Sequence, residues 1–259
     1  MKRPSIFVFA VLFVLGGLGL SDAEALIVFG NGGSHVIDYA TGDDVSVYDS
    51  AGGHPTTVSL VDGGFVQGYG NMQVWDSSRF VMTGGEIGYY LGLFDNSTAK
   101  VSGGFIGTFL GQGEIWTGGN SQLEFSGGQV YDILTMDDSE VEISGGQIHY
   151  LIAYHNSAVT ISGGLFGSHI TSDSIYSTTS VITFVGNDFL MNGSPVAYGT
   201  YTRLDLASGR LTGVLASGDL LNCSFSINDQ SSVIFVPEPA TVLLLGLGAV
   251  MLRRKRSLA

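Results

Sequence analysis

Short runs of alternating apolar and polar residues repeat along the middle of this chain, each closed by a pair of glycines. The pairs begin at 63, 84, 103, 127, 145 and 163, in steps of 21, 19, 24, 18 and 18 residues. Two positions before each pair stand Val61, Met82, Val101, Phe125, Ile143 and Ile161, and four before it Phe80, Ala99, Leu123, Val141 and Val159. The position between these columns holds Val81, Lys100, Glu124, Glu142 and Thr160, mostly polar. A period of two predicts a strand that ends at the glycines with one face buried. The second residue after the pair is apolar again, at Val66, Ile87, Ile106, Val130, Ile148 and Phe166. A further apolar column follows at Leu91, Leu110, Leu134, Ile152 and Ile170.

Two corners punctuate each unit. Asn96-Ser97, Asn120-Ser121, Asp138-Ser139 and Asn156-Ser157 open the strand, and these residue types tolerate left-handed angles or bond nearby backbone groups. Stacked in register, they are expected to form a ladder of amide hydrogen bonds. The glycine pair makes the other corner, where positive φ or close approach of a neighbouring coil excludes a side chain. Units of 18 to 24 residues with two tight corners and about three extended segments predict an all-β fold, a parallel β-helix. The hexapeptide pattern of left-handed helices is absent, so the expected hand is right. The longest unit carries an extra pair, Gly118-Gly119, after Ile115-Trp116-Thr117, which predicts a loop insertion. Residues 26–62 read as an N-terminal cap and first coils, and 63–180 as the repeat solenoid. Residues 181–236 lose the repeat. They break at Asn192-Gly193, Ser208-Gly209 and Ser217-Gly218, predicting an antiparallel β cap over the solenoid's open strands.

Composition narrows the chemistry. One cysteine in 259 residues rules out an internal disulfide or a multi-cysteine zinc site. Charged residues make up 13% of the chain, about half the usual share of roughly 25%. The net charge of −13 argues against a nucleic-acid partner, which needs clustered Lys and Arg.

The two ends read as addresses. Lys2 and Arg3, an uncharged run from Ile6 to Leu20, and the small residues Ala23 and Ala25 describe a signal peptide over 1–25, cleaved after Ala25. At the other end Pro237, Glu238 and Pro239 precede thirteen uncharged residues, 240–252, and the basic cluster Arg253, Arg254, Lys255 and Arg256. As a helix those thirteen residues would span about 20 Å, short of the roughly 30 Å hydrocarbon core. The basic residues at both ends stay on the cytoplasmic side, which places everything between them outside. In this order the three parts over 237–259 resemble the PEP-CTERM sorting signal. That resemblance implies export across the inner membrane of a Gram-negative, exopolysaccharide-producing bacterium and transient insertion of the apolar segment. It also implies removal of the tail by the membrane enzyme exosortase.

Without its ends the chain keeps four basic residues, Arg79, Lys100, Arg203 and Arg210, against 20 acidic ones, a net of −16 over 26–236. Such a body repels polyanions and favours cations or neutral glycans. Asp137, Asp138, Glu140 and Glu142 form the densest acidic group. Calcium accepts such oxygens, yet Glu140 and Glu142 fall on the solvent side of an alternating strand, so the group reads as a solvated face and no cofactor is expected. The histidines are scattered, no serine sits in a nucleophile elbow, and Cys223 reads as a small buried hydrophobe. Tyr89, Tyr90, Tyr131, Tyr150 and Tyr154 follow the glycine corners, with Trp116 in the long unit. These are the rings that a sugar-binding face would use. The expected protein is a non-enzymatic structural or adhesive component of the cell surface or matrix, with exopolysaccharide as its neighbour. The alternative is a carbohydrate-binding module or polysaccharide-degrading enzyme on the same scaffold.

Overall fold

The computed structural model describes residues 26–66, 71–107, 113–172, 179–206, 208–228 and 230–238. Its 21 strands belong to one sheet, and no helix occurs among the described residues. The strands stack in three columns, to each of which every repeat contributes one short segment. The first column runs Leu26–Phe29, Asp44–Val47, Asn71–Val74, Tyr90–Leu93 and Glu114–Thr117, then 132–135, 150–153 and 169–172, all parallel and in register. The second runs Ser34–Ile37, Thr57–Leu60 and Arg79–Met82, then 98–101, 122–125, 140–143 and 158–161. The third, shorter column holds Ala40–Thr41, Phe65–Val66 and Glu86–Ile87, then 105–106, 129–130, 147–148 and 165–166.

Period-two alternation sends one residue in two from every column into a shared core. Leu60, Met82, Val101, Phe125, Ile143 and Ile161 meet from the second column, and Val66, Ile87, Ile106, Val130, Ile148 and Phe166 from the third, all buried. In the first column the inward residues are Leu91, Ile115, Ile133, Leu151 and Ile170. This corrects the sequence alignment. Leu134 and Ile152 are half-buried and stand on the outer side, and Leu110 lies outside the described residues. The corner joining the third column to the first is one residue longer before Ile170 than before Leu151, a register shift between Ile148 and Tyr150. Counting from the glycines therefore slips by one wherever two apolar residues are adjacent.

The Asn-Ser corner divides its labour among three residues. The first is left-handed: Asp76, Asp95, Asp137 and His155 have φ of 60, 58, 57 and 52°. Its side chain reaches the equivalent backbone N–H one unit earlier. Asp76 accepts from Asp49 N at 3.2 Å, Asp95 from Asp76 N at 3.3 Å, Asp137 from Gly119 N at 3.0 Å, and His155 Nδ1 from Asp137 N at 3.1 Å. The second residue forms the amide ladder, with Asn120 Nδ2 donating to Asn96 at 3.3 Å and Asn156 Nδ2 to Asp138 at 3.2 Å. The third points inward, so that Thr56, Ser78, Ser97, Ser121, Ser139 and Ser157 form a fully buried row of hydroxyls. Thr117 and Thr135 hydrogen-bond Ser139 and Ser157 at 2.9 and 2.6 Å within it. At the glycine corner the first residue fails sterically, since a Cβ on Gly103, Gly127 or Gly145 would overlap the carbonyl oxygen of Thr83, Ser102 or Ser126.

Beyond 172 the columns close. Val181–Met191 and Ser232–Val236 extend the second column in parallel, and Leu220–Ser226 extends the first. Gly209–Leu215 then runs antiparallel to both Leu220–Ser226 and Val181–Met191, and Gly199–Thr202 antiparallel to Ser232–Val236. Asn192 and Gly193, at φ 51 and 80°, turn the chain into Ser194–Pro195. The last parallel strands of the first and second columns thus carry an antiparallel neighbour that covers their open edges. Phe184 lies at the centre of this closure, with ring centroids 5.4 Å from Phe235, 5.8 Å from Phe225 and 6.2 Å from Phe189.

Candidate functional site

Outward residues stack in the same registers as the core. On the third column Phe105, Gln129, Gln147 and Leu165 form one row, with the Gln129 amide donating to the Gln147 carbonyl. This row lines a groove of about 400 Å³ that ends at Tyr131 and His149, between Gly107 and Gly167. The Tyr131 and His149 rings lie 4.6 Å apart, and Tyr150 meets them at 5.6 and 4.6 Å.

Around the corner, on the first column, the outward row reads Tyr90, Glu114, Asp132, Tyr150, His169. Two acidic residues therefore stand side by side on strands about 4.8 Å apart, with a ring on each side. Trp116 packs edge-on to Tyr90 at 5.6 Å, and its Nε1 donates to Glu114 Oε2 at 2.7 Å. Asp132 Oδ1 is shut off from solvent and accepts no hydrogen bond. Burial, and then the Glu114 charge, push the Asp132 carboxyl from 3.8 up to about 6, with His149 opposing. For an acid, a raised folded-state value means that the folded chain holds the proton more tightly than the unfolded one. The ionised carboxylate therefore costs nothing below 3.8, and the cost grows through the window up to about 6 and is complete above it. Burial, and then Glu114, likewise raise the Tyr90 phenol.

The structure gathers part of what the sequence singles out. Tyr131 and Tyr150 meet, as do Tyr90 and Trp116, whereas Tyr154 sits at the turn before His155. Sequence reasoning missed His149 as a member of the ring cluster, and it missed the Glu114 and Asp132 pair. The signal for the pair was present as equal offsets of Ile115 and Ile133 in neighbouring strands, hidden by the unequal corners. Glu140 and Glu142 are exposed on the second column, while Asp137 and Asp138 serve the corner. The hydrogen bond from the Gly119 N–H holds the Asp137 carboxyl below the usual range. His169 Nε2 pairs with Ser226 Oγ at 3.0 Å. Among the described residues no group of three or more His, Cys, Asp or Glu is placed to hold a metal ion. Cys223 is buried, which pushes its thiol up to about 12.

Of the sorting-signal residues, Pro237 and Glu238 are described, and Glu238 Oε1 accepts from Asn187 Nδ2 at 2.8 Å. Pro239, Arg253, Arg254, Lys255 and Arg256 lie outside the described residues, as do Ala23 and Ala25. No helix among the described residues is long and apolar enough to cross a membrane, and the segment expected to do so, 240–252, is not among them.

The molecule is thus an all-β protein of stacked parallel strands, with rings and carboxylates displayed along one edge. Its C-terminal residues 235–256 match the PEP-CTERM protein-sorting motif, the mark of an exported protein sorted by an exosortase. No curated protein and no solved structure matches the chain. The match begins at Phe235 and Val236, which are paired within Ser232–Val236, so the motif starts inside the last strand of the described sheet.

Proposed function

We propose that the protein is an exported, non-enzymatic structural or adhesive component of the cell surface or extracellular matrix. Its body is a right-handed parallel β-helix that associates with exopolysaccharide. The sorting motif directly after the last body strand carries this reading, because it commits the chain to export. Three in-register columns, tied at each corner by bonds from one unit to the next, support a rod built for rigidity rather than movement. In this reading residues 240–252 enter the inner membrane transiently, the basic cluster stays on the cytoplasmic side, and exosortase removes the tail. The Glu114 and Asp132 pair favours a second reading, a carbohydrate-binding or polysaccharide-degrading protein on the same scaffold, since glycoside hydrolysis uses two carboxylates at a defined separation.

Deleting residues 237–259 tests delivery. The deletion removes the hydrogen bond from Asn187 to Glu238 and no strand of the described sheet, so the truncated chain is expected to melt within a few degrees of the full one while failing to reach the surface. Surface display equal to the wild type would contradict the sorting role.

A further inference from the structure

The row from Tyr90 to Tyr150 carries an electrostatic problem that the body offsets only in part, through His149 beside Asp132. Glu114 and Asp132 face outward on neighbouring strands, and among the described residues no Lys or Arg pairs with either. The Trp116 indole fixes one Glu114 oxygen and leaves the other, while Asp132 Oδ1 is closed to solvent and so to a ligand, which leaves the remaining oxygens as the accessible acceptors of the pair. A metal ion would need more oxygen ligands than this site offers, and polyanions are repelled. Neutral hydroxyl groups could bond the oxygens but would not relieve the repulsion between them. An ammonium group, with three N–H donors and a positive charge, answers both needs. The flanking rings, Tyr90 with Trp116 and Tyr150 with Tyr131, present faces for a cation or for the apolar face of a pyranose. They span roughly 14 Å over three strand spacings. Tyr131 and His149, which pack against Tyr150, also line the groove of about 400 Å³, where the paired amides of Gln129 and Gln147 lie between Phe105 and Leu165. Polar edges between apolar walls fit a sugar chain better than a lone lysine.

We propose that Glu114 and Asp132, with Tyr90, Trp116 and Tyr150, bind an amino sugar of a glycan that carries free amino groups, and that the groove holds the next sugars of that chain. This deepens the exopolysaccharide reading and rests on it. The experiment measures binding of the mature exported protein to chitosan oligosaccharides, to their fully N-acetylated counterparts, to alginate and to polylysine. Retention of the host's own exopolysaccharide is followed in parallel. The deacetylated form is expected to bind on the order of 10-fold more tightly than the acetylated form and to weaken with salt. Glu114→Gln with Asp132→Asn is expected to abolish that preference, while Glu140→Gln on the other column leaves it intact. Asp132→Asn removes a repelled, half-buried carboxylate, so that variant is expected to melt higher at pH 7.5 and no higher at pH 3.5, which separates lost binding from lost folding. Equal binding of both oligosaccharides, an unchanged preference in the double variant, or polylysine binding as tight as chitosan would overturn the proposal. If the host polysaccharide is still retained in that case, the broader reading stands; if nothing is retained, it fails too.

Discussion

Replacing Phe184 with alanine is expected to cost about 3–5 kcal/mol of folding free energy, among the largest effects of any single core truncation in this chain. The side chain is fully buried and touches rings from Val181–Met191 and from both strands that end the parallel columns. Its strand pairs in parallel with two neighbours and antiparallel with two more, so the closure of the second column depends on it. A cavity here loosens the strands that cover the last parallel edges. The variant should therefore show both a lower denaturant midpoint and concentration-dependent association, because freed edges template pairing between chains. A midpoint shift worth less than about 1 kcal/mol, with no association, would mean that the closure does not depend on this ring cluster.

The second large effect separates the two glycines of one corner. Gly145→Ala is expected to destabilise the body by roughly 2–4 kcal/mol, since the new methyl group would overlap the Ser126 carbonyl of the preceding unit and the two units would have to part. Gly146→Ala faces a different problem, a φ of 84° that L residues rarely adopt, at a cost of about 1–3 kcal/mol. The distinction appears in a double substitution. Truncating Phe125, whose ring lies where a Cβ on Gly146 would go, is expected to soften the cost at 146 but not at 145. Urea unfolding of the wild type, the three single variants and the two double variants measures this, and equal relief at both positions would contradict stacking of backbone on backbone at the glycine corner.

Much of this architecture was legible in the sequence because each unit repeats its own constraints. Alternation around Phe125, Ile143 and Ile161 identified an inward face correctly, since each is flanked by polar residues. The glycine pair was legible for the same reason, although the sequence could not divide its two causes between the first and the second residue. The reading of the corner was incomplete. Asn96, Asn120 and Asn156 drew attention as ladder formers, yet the left-handed residue is the preceding one, Asp95, Gly119 or His155, and the serine that follows is buried. Three small polar residues in a row do not announce which points where. Alternation failed where apolar residues adjoin, at Ile133-Leu134 and Leu151-Ile152, because a corner that varies by one residue moves the whole column. That failure also hid the candidate site. Glu114 and Asp132 are 18 positions apart, but the register that makes them neighbours is set by corner lengths that the sequence does not display.

Site and delivery fit together physically in the proposed role. A body of net charge −16, once exported, would be repelled by anionic polymers and would leave its ring and carboxylate row to cationic or neutral sugars. The motif that marks it for delivery begins in the last strand of the described sheet, at Phe235 and Val236. The central claim, that this stacked body is exported and stripped of both addresses, is tested most directly by the intact mass of the protein recovered from the surface and matrix fraction. The account predicts a chain that begins at Leu26 and lacks the basic cluster 253–256. A recovered chain that still carries residues 1–25 or that cluster, or a protein found only inside the cell, would contradict it.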